Sequence, residues 1–199
     1  MPRAAGAGEL GEAELMSLEQ YAREREAFRA AVILHKHART VRVGPSMTWI
    51  FEDRRTIQYQ VQEMLRIERI FEPRGIREEL DAYNPLIPDG GNWKATMMIE
   101  YPDPLERQAA LARLRGIEDC CHVDIEGCGR VTAIADEDLE RGNAQKTSAV
   151  HWLRFELTPA MRDAIRSNVR VAAGTDHPAY RHSTQLPAET LRALSLDLD

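Results

Sequence analysis

The stretch Ala149-Val150-His151-Trp152-Leu153-Arg154-Phe155-Glu156-Leu157 decides the fold class. Side chains along a strand alternate between faces. Ala149, His151, Leu153, Phe155 and Leu157 therefore share one face, and Val150, Trp152, Arg154 and Glu156 the other. Working outward, Thr158-Pro159 opens a helix to about Arg166, and residues 168–175 read as the next strand, closed by Asp176-His177-Pro178. On the other side, residues 136–145 are acidic at their start and read as a short helix. Residues 120–126 and 130–135 form a hairpin about Gly127 and Gly129. Asp103-Pro104, with Glu106 at the third helical position, opens a helix to about Arg115, and residues 94–101 read as a strand.

The first half follows the same signals. Ser17 with Gln20 resembles a capping box for a helix to about His37. Residues 40–43 and 47–51 pair across Gly44-Pro45. Asp53 caps a helix from Arg54 to Phe71, which Pro73 and Gly75 end, and a short helix covers 76–83. The loop from Asn84 to Gly91 is long enough to suggest work beyond connection. Hairpins mixed with βα units predict an α+β fold, with a mainly antiparallel or mixed sheet and helices packed on it. A single domain spans 17–182, after a disordered tail over 1–16 rich in Gly, Ala and Glu; a tail or weak helix covers 183–199.

The chain has 199 residues, 43% hydrophobic and 29% charged, enough for one sizeable core. Net charge is −6 with no Lys/Arg cluster, so a phosphate backbone is repelled and no nucleic-acid partner is expected. The longest apolar runs, such as Ala30 to Leu34, are too short to span a bilayer, and the N-terminus lacks the order of a signal peptide. A cytoplasmic protein without a membrane partner is expected. Cys120, Cys121 and Cys128 are odd in number and match no zinc-site spacing; they read as reduced thiols.

Helical phase gathers Ile57, Val61, Met64, Leu65 and Phe71 on one face and puts Glu68 near its middle. A carboxylate there needs a cation, a donor or a metal. Glu63, beside the stripe, is a further candidate. His151 lies on the more apolar face of its strand. His177 ends the following strand beside Asp176, a carboxylate placed to orient an imidazole. If the two strands pair and the helix packs on the same face, Glu68, His151 and His177 converge, with Glu63 as a fourth ligand and Asp176 behind them. Two imidazoles and a carboxylate suit iron or zinc. The opposite reading makes each a buried structural polar group. His122, Asp124 and Glu126 share a strand face, but spacing by two separates them by roughly 7 Å, as on a solvated polar face. His35 and His37 oppose a helix dipole at its C-terminus. GxSxG, P-loop, GxGxxG and HExxH patterns are absent.

Four blocks carry a resemblance: residues 51–54 running into 60–68, residues 79–88, residues 149–157, and Asp176-His177-Pro178-Ala179-Tyr180. Over about residues 17–181 the chain is similar to a bacterial family catalogued as a domain of unknown function. Its members are often encoded near a rubrerythrin-like protein and an iron–sulfur oxidoreductase of the heterodisulfide-reductase type. The resemblance thus implies redox chemistry or peroxide and oxidative-stress defence, with such proteins as partners. The cysteines fall outside the matching blocks. Two functions follow: a metal-binding redox accessory, with non-haem iron, or a cofactor-free binding or adaptor protein for an electron-transfer partner.

Overall fold

The computed structural model describes residues 8–135 and 146–199. The described residues form six α-helices and nine strands. The helices are α1 (Leu18–His37), α2 (Arg54–Glu68), α3 (Pro73–Tyr83), α4 (Pro104–Arg113), α5 (Pro159–Arg166) and α6 (Ala188–Ser195). The strands are β1 (Thr40–Arg42), β2 (Met47–Phe51), β3 (Asn92–Ile99), β4 (Cys121–Ile125), β5 (Gly129–Thr132), β6 (Ile134–Ala135), β7 (Val150–Glu156), β8 (Val171–His177) and β9 (Tyr180–Gln185). The helix expected over 136–145 lies outside the described residues.

The strands make two sheets, ordered β1-β2-β3-β7-β6 and β5-β4-β8-β9, and every pairing is antiparallel. This is the expected α+β class, with two sheets in place of one. The main core holds Trp49, Phe51, Trp93 and Phe155 from the first sheet together with Val123, Val171 and Ala173 from the second. Trp49 and Phe155 stack at 5.5 Å between ring centroids. Tyr180 ties the β1–β2 turn to the second sheet: its hydroxyl donates to the Val43 carbonyl and accepts from the Ser46 N–H, each at 2.8 Å. Gly44 (φ +76°) sits in that turn, and a Cβ there would lie 2.6 Å from the His182 ring. No described helix is long and apolar enough to cross a membrane.

A second, smaller core lies under the helices: Leu10, Ile57, Val61, Leu65, Leu80 and Ile87. Leu10 corrects the expectation of a free tail over 1–16. Its side chain is buried, Glu12–Glu14 form a 3₁₀ turn, and Glu14 pairs with Arg54, so the segment from Leu10 onward is packed. The C-terminal end is likewise part of the fold. Residues 183–185 belong to β9, and α6 buries Leu191 and Leu194. Trp93 Nε1–H donates to the Leu194 carbonyl at 3.0 Å, and Arg39 grips Asp197 through two bonds of 2.6 and 2.8 Å. The loop from 84 to 91 serves as a junction for both ends. Asn84 holds Leu10, and the Gly90 carbonyl accepts the Asp199 N–H.

Candidate interaction groove

The residues singled out as metal ligands go to four separate places. Glu68 is exposed, because α2 ends at that residue and Arg69 turns the chain in a left-handed conformation (φ 55°). The buried stripe of α2 is Ile57, Val61, Gln62 and Leu65, and Phe71 lies beyond the helix in solvent. Glu63 accepts bonds of 2.7 and 2.8 Å from Arg25 and one of 2.6 Å from the Tyr21 hydroxyl, fastening α1 to α2. The Arg25 guanidinium holds its carboxyl down at about 2, against the opposing effect of burial.

His151 lies on β7 and His177 on β8, in different sheets, so the strand pairing that would join them does not form. His151 is fully buried. Its Nε2–H faces the Ser148 carbonyl at 3.1 Å and Thr147 Oγ1 at 2.8 Å, and the Thr147 hydroxyl donates to Glu118 at 3.1 Å. His177 Nε2–H donates to the Arg115 carbonyl at 3.1 Å, while Nδ1 accepts the Ala179 N–H at 3.2 Å. A ligand nitrogen must offer its lone pair, and these partners already use both nitrogens of His177. Asp176 pairs with Arg130 instead of orienting His177, since adjacent residues within β8 point to opposite faces. The set Glu68, His151, His177 and Glu63 therefore does not fit an iron or zinc ion. Among the described residues, no three His, Cys, Asp or Glu side chains are grouped to hold a metal.

The polar strand face at His122, Asp124 and Glu126 is spanned by ion pairs. Arg130 bonds Asp124 and Asp176, and Arg170 bonds Glu126. His35 pairs with Asp53 at 2.6 Å, so the α1 C-terminus touches the cap of α2. Cys120, Cys121 and Cys128 are free thiols. Cys121 is buried with its sulfur 3.5 Å from Met97 Sδ, and burial pushes its pKa far up.

What the structure does bring together is a strap and a groove on α2 and α3. Residues 9–16 cross these helices as a strap. Three side-chain amides hold it, and every bond goes to main chain. Asn84 accepts the Leu10 N–H at 2.8 Å and donates to the Leu10 carbonyl at 3.0 Å. Gln62 accepts the Met16 N–H at 2.6 Å and donates to the Met16 carbonyl at 3.3 Å. Gln58 donates to the Glu14 carbonyl at 2.8 Å. At one end of the strap, a groove of about 350 Å³ is lined by Leu15, Leu18, Leu65, Ile70, Phe71 and Ile76. Phe71 is 68% exposed and Ile67, four residues before it, 57%. At the other end, a cavity of about 430 Å³ is lined by Gly8, Glu9, Asp81, Pro85, Asp89 and Lys94.

Sequence reasoning passed over Gln62, although the phase argument applied to Glu68 points at it more directly. Gln62 lies between Val61 and Leu65 on the buried stripe and is fully buried. Asn84 carried no comparable signal, because its role depends on a strap far away in sequence.

A family model described as "Protein of unknown function (DUF3501)" matches residues 9–198. The chain is similar to a solved structure of a protein of unknown function from Burkholderia pseudomallei K96243. The two are 48% identical, the match covers 96% of this chain and 100% of that one, and the TM-score is 0.92. No curated protein matches it.

Proposed function

We propose that this chain, which belongs to the DUF3501 family, is a binding or adaptor protein that docks an electron-transfer partner on its α2–α3 face. One observation carries this reading: Phe71 stands in solvent at a groove lined by Leu65, Ile70 and Ile76, and Ile67, four residues before it, is exposed as well. Large apolar side chains gathered beside a concave apolar floor are what a protein-docking surface requires. The candidate ligands support the same reading, since Glu63 and His177 are engaged in holding the fold and Glu68 faces solvent. In this account redox chemistry, including peroxide defence, belongs to the partner's cofactor. A rubrerythrin-like protein and an iron–sulfur oxidoreductase from the same genome are the partners to test first.

Titration calorimetry with each of those two proteins tests the proposal. Binding in the micromolar range, weakened at least tenfold by Phe71→Ser, is expected. No binding to either protein would remove the electron-transfer partner. Binding that ignores both Phe71→Ser and Ile67→Ser would remove the face.

A further inference from the structure

We infer that the α2–α3 surface is a peptide-capture groove, which residues 9–16 fill in cis, and that a partner enters it with a short segment whose single aliphatic anchor replaces Leu10. This inference rests on the adaptor reading and names the element of the partner that is recognised.

The bonding pattern is the first argument. Asn84 and Gln62 each close a reciprocal pair of hydrogen bonds on the main chain of one strap residue, and Gln58 adds a fifth bond, again to a carbonyl. Side-chain amides that grip backbone N–H and C=O fix the register of a bound segment, here one with a 3₁₀ turn at Glu12–Glu14, without reading its side chains. The grips fall on residues 10 and 16, so the groove holds a segment of about seven residues. Gln62 is fully buried, and an apolar replacement of its amide would leave the Met16 main chain unpaired.

Anchoring is the second. Leu10 is the one strap residue buried outright, 3% exposed, in a pocket of Ile57, Val61, Leu65, Leu80 and Ile87. That pocket takes an unbranched or γ-branched aliphatic side chain and offers a charged one no partner. The third is that open space adjoins the strap, in a cavity of about 430 Å³ beside Gly8 and Glu9 and a groove of about 350 Å³ beside Glu12, Leu15 and Met16. In the cavity beside Gly8, the charged lining residues outside the strap are Asp81, Asp89 and Lys94. Two carboxylates against one ammonium leave that flank net negative, so it favours a neutral or basic residue in the incoming peptide.

A cis strap competes at an effective concentration of roughly millimolar, so loosening it must expose the groove to a peptide in trans. The probe is a fluorescein-labelled synthetic peptide of residues 8–19, followed by anisotropy with the full-length chain. The expected result is binding to the Leu10→Ser chain at least tenfold tighter than to the unaltered chain. The same peptide carrying Leu10→Ser should bind at least tenfold more weakly, and so should the intact peptide to the Leu10→Ser/Gln62→Leu chain. Equal affinity for the unaltered and Leu10→Ser chains, or no binding to a folded Leu10→Ser chain, overturns the inference. Leu10→Ala repeats the comparison if the serine variant does not fold. If neither folds, the strap is an integral part of the core and the inference is overturned. Partner binding that still depends on Phe71 after such a failure leaves the adaptor reading standing with a fixed strap. Loss of Phe71-dependent binding while the peptide result holds removes the adaptor reading instead.

Discussion

The side-chain amide of Gln62 closes two hydrogen bonds on the main chain of one residue, Met16, accepting its N–H at 2.6 Å and donating to its carbonyl at 3.3 Å. This contact spans 46 residues of sequence and fastens the segment before α1 to the middle of α2. Gln62→Leu keeps the bulk and removes both bonds. The expected cost is about 1–2 kcal/mol, because Met16 is half-buried and regains only part of its hydration. Thermal unfolding should show it, together with faster hydrogen exchange at the Met16 amide. Unchanged exchange there would mean that Gln62 does not hold the strap.

Deletion of residues 1–14 removes the Leu10 anchor and the Asn84 grip. Exposing the pocket of a fully buried leucine costs about 2–3 kcal/mol. For a chain of this size the melting temperature should fall by roughly 5 °C or more. A melting temperature that stays put would show that residues 9–14 add nothing to the fold.

Acid sensitivity should concentrate at Glu63. Its folded pKa, about 2, lies below the unfolded value of about 4.3, so its contribution is complete above the unfolded value and is lost as pH falls from there toward 2. Arg25 is about a third exposed, so solvent screening keeps the effect small. Stability measured at pH 7 and at pH 3 should differ less in Glu63→Gln than in the unaltered chain. An equal difference in both would mean that the Arg25 pair contributes nothing.

The three cysteines should respond differently to replacement by serine. Cys121 is buried beside Met97 and Ile117, so a hydroxyl there is desolvated and Cys121→Ser should cost about 1–3 kcal/mol. Cys120→Ser and Cys128→Ser, at half-buried positions, should cost under about 0.5 kcal/mol. Denaturant unfolding of the three single variants checks the order.

The alternation over residues 149–157 was legible because a strand's period is short and needs no partner to be recognised; β7 spans Val150–Glu156. The hairpin of β1 and β2 announced itself through Gly44-Pro45, and α1 ends at His37 as its cap and periodicity predict. Convergence in space was not legible. Placing His151 beside His177 required β7 and β8 to be neighbours, and strand order is set by tertiary packing that no local pattern encodes. The phase of α2 was read correctly through Leu65, but the helix was run three residues too far. The left-handed Arg69 ends the helix at Glu68 and turns the chain so that Phe71 meets solvent, and an arginine at that position gives none of the signal that Gly or Asn would. The strap was missed for the opposite reason. A Gly- and Glu-rich segment looks unable to pack, yet one leucine with main-chain bonds to three amides is enough to hold it.

The central claim is that the face carrying Ile67 and Phe71 docks an electron-transfer protein. A photo-crosslinking p-benzoylphenylalanine in place of Phe71, irradiated in the producing cell, tests it most directly. Leu105 on α4, 76% exposed, is the control position. The account predicts a covalent adduct at position 71 to an electron-transfer protein identified by mass spectrometry, and no such adduct at position 105. Adducts only to a second copy of this chain, or the same adducts from both positions, would contradict it.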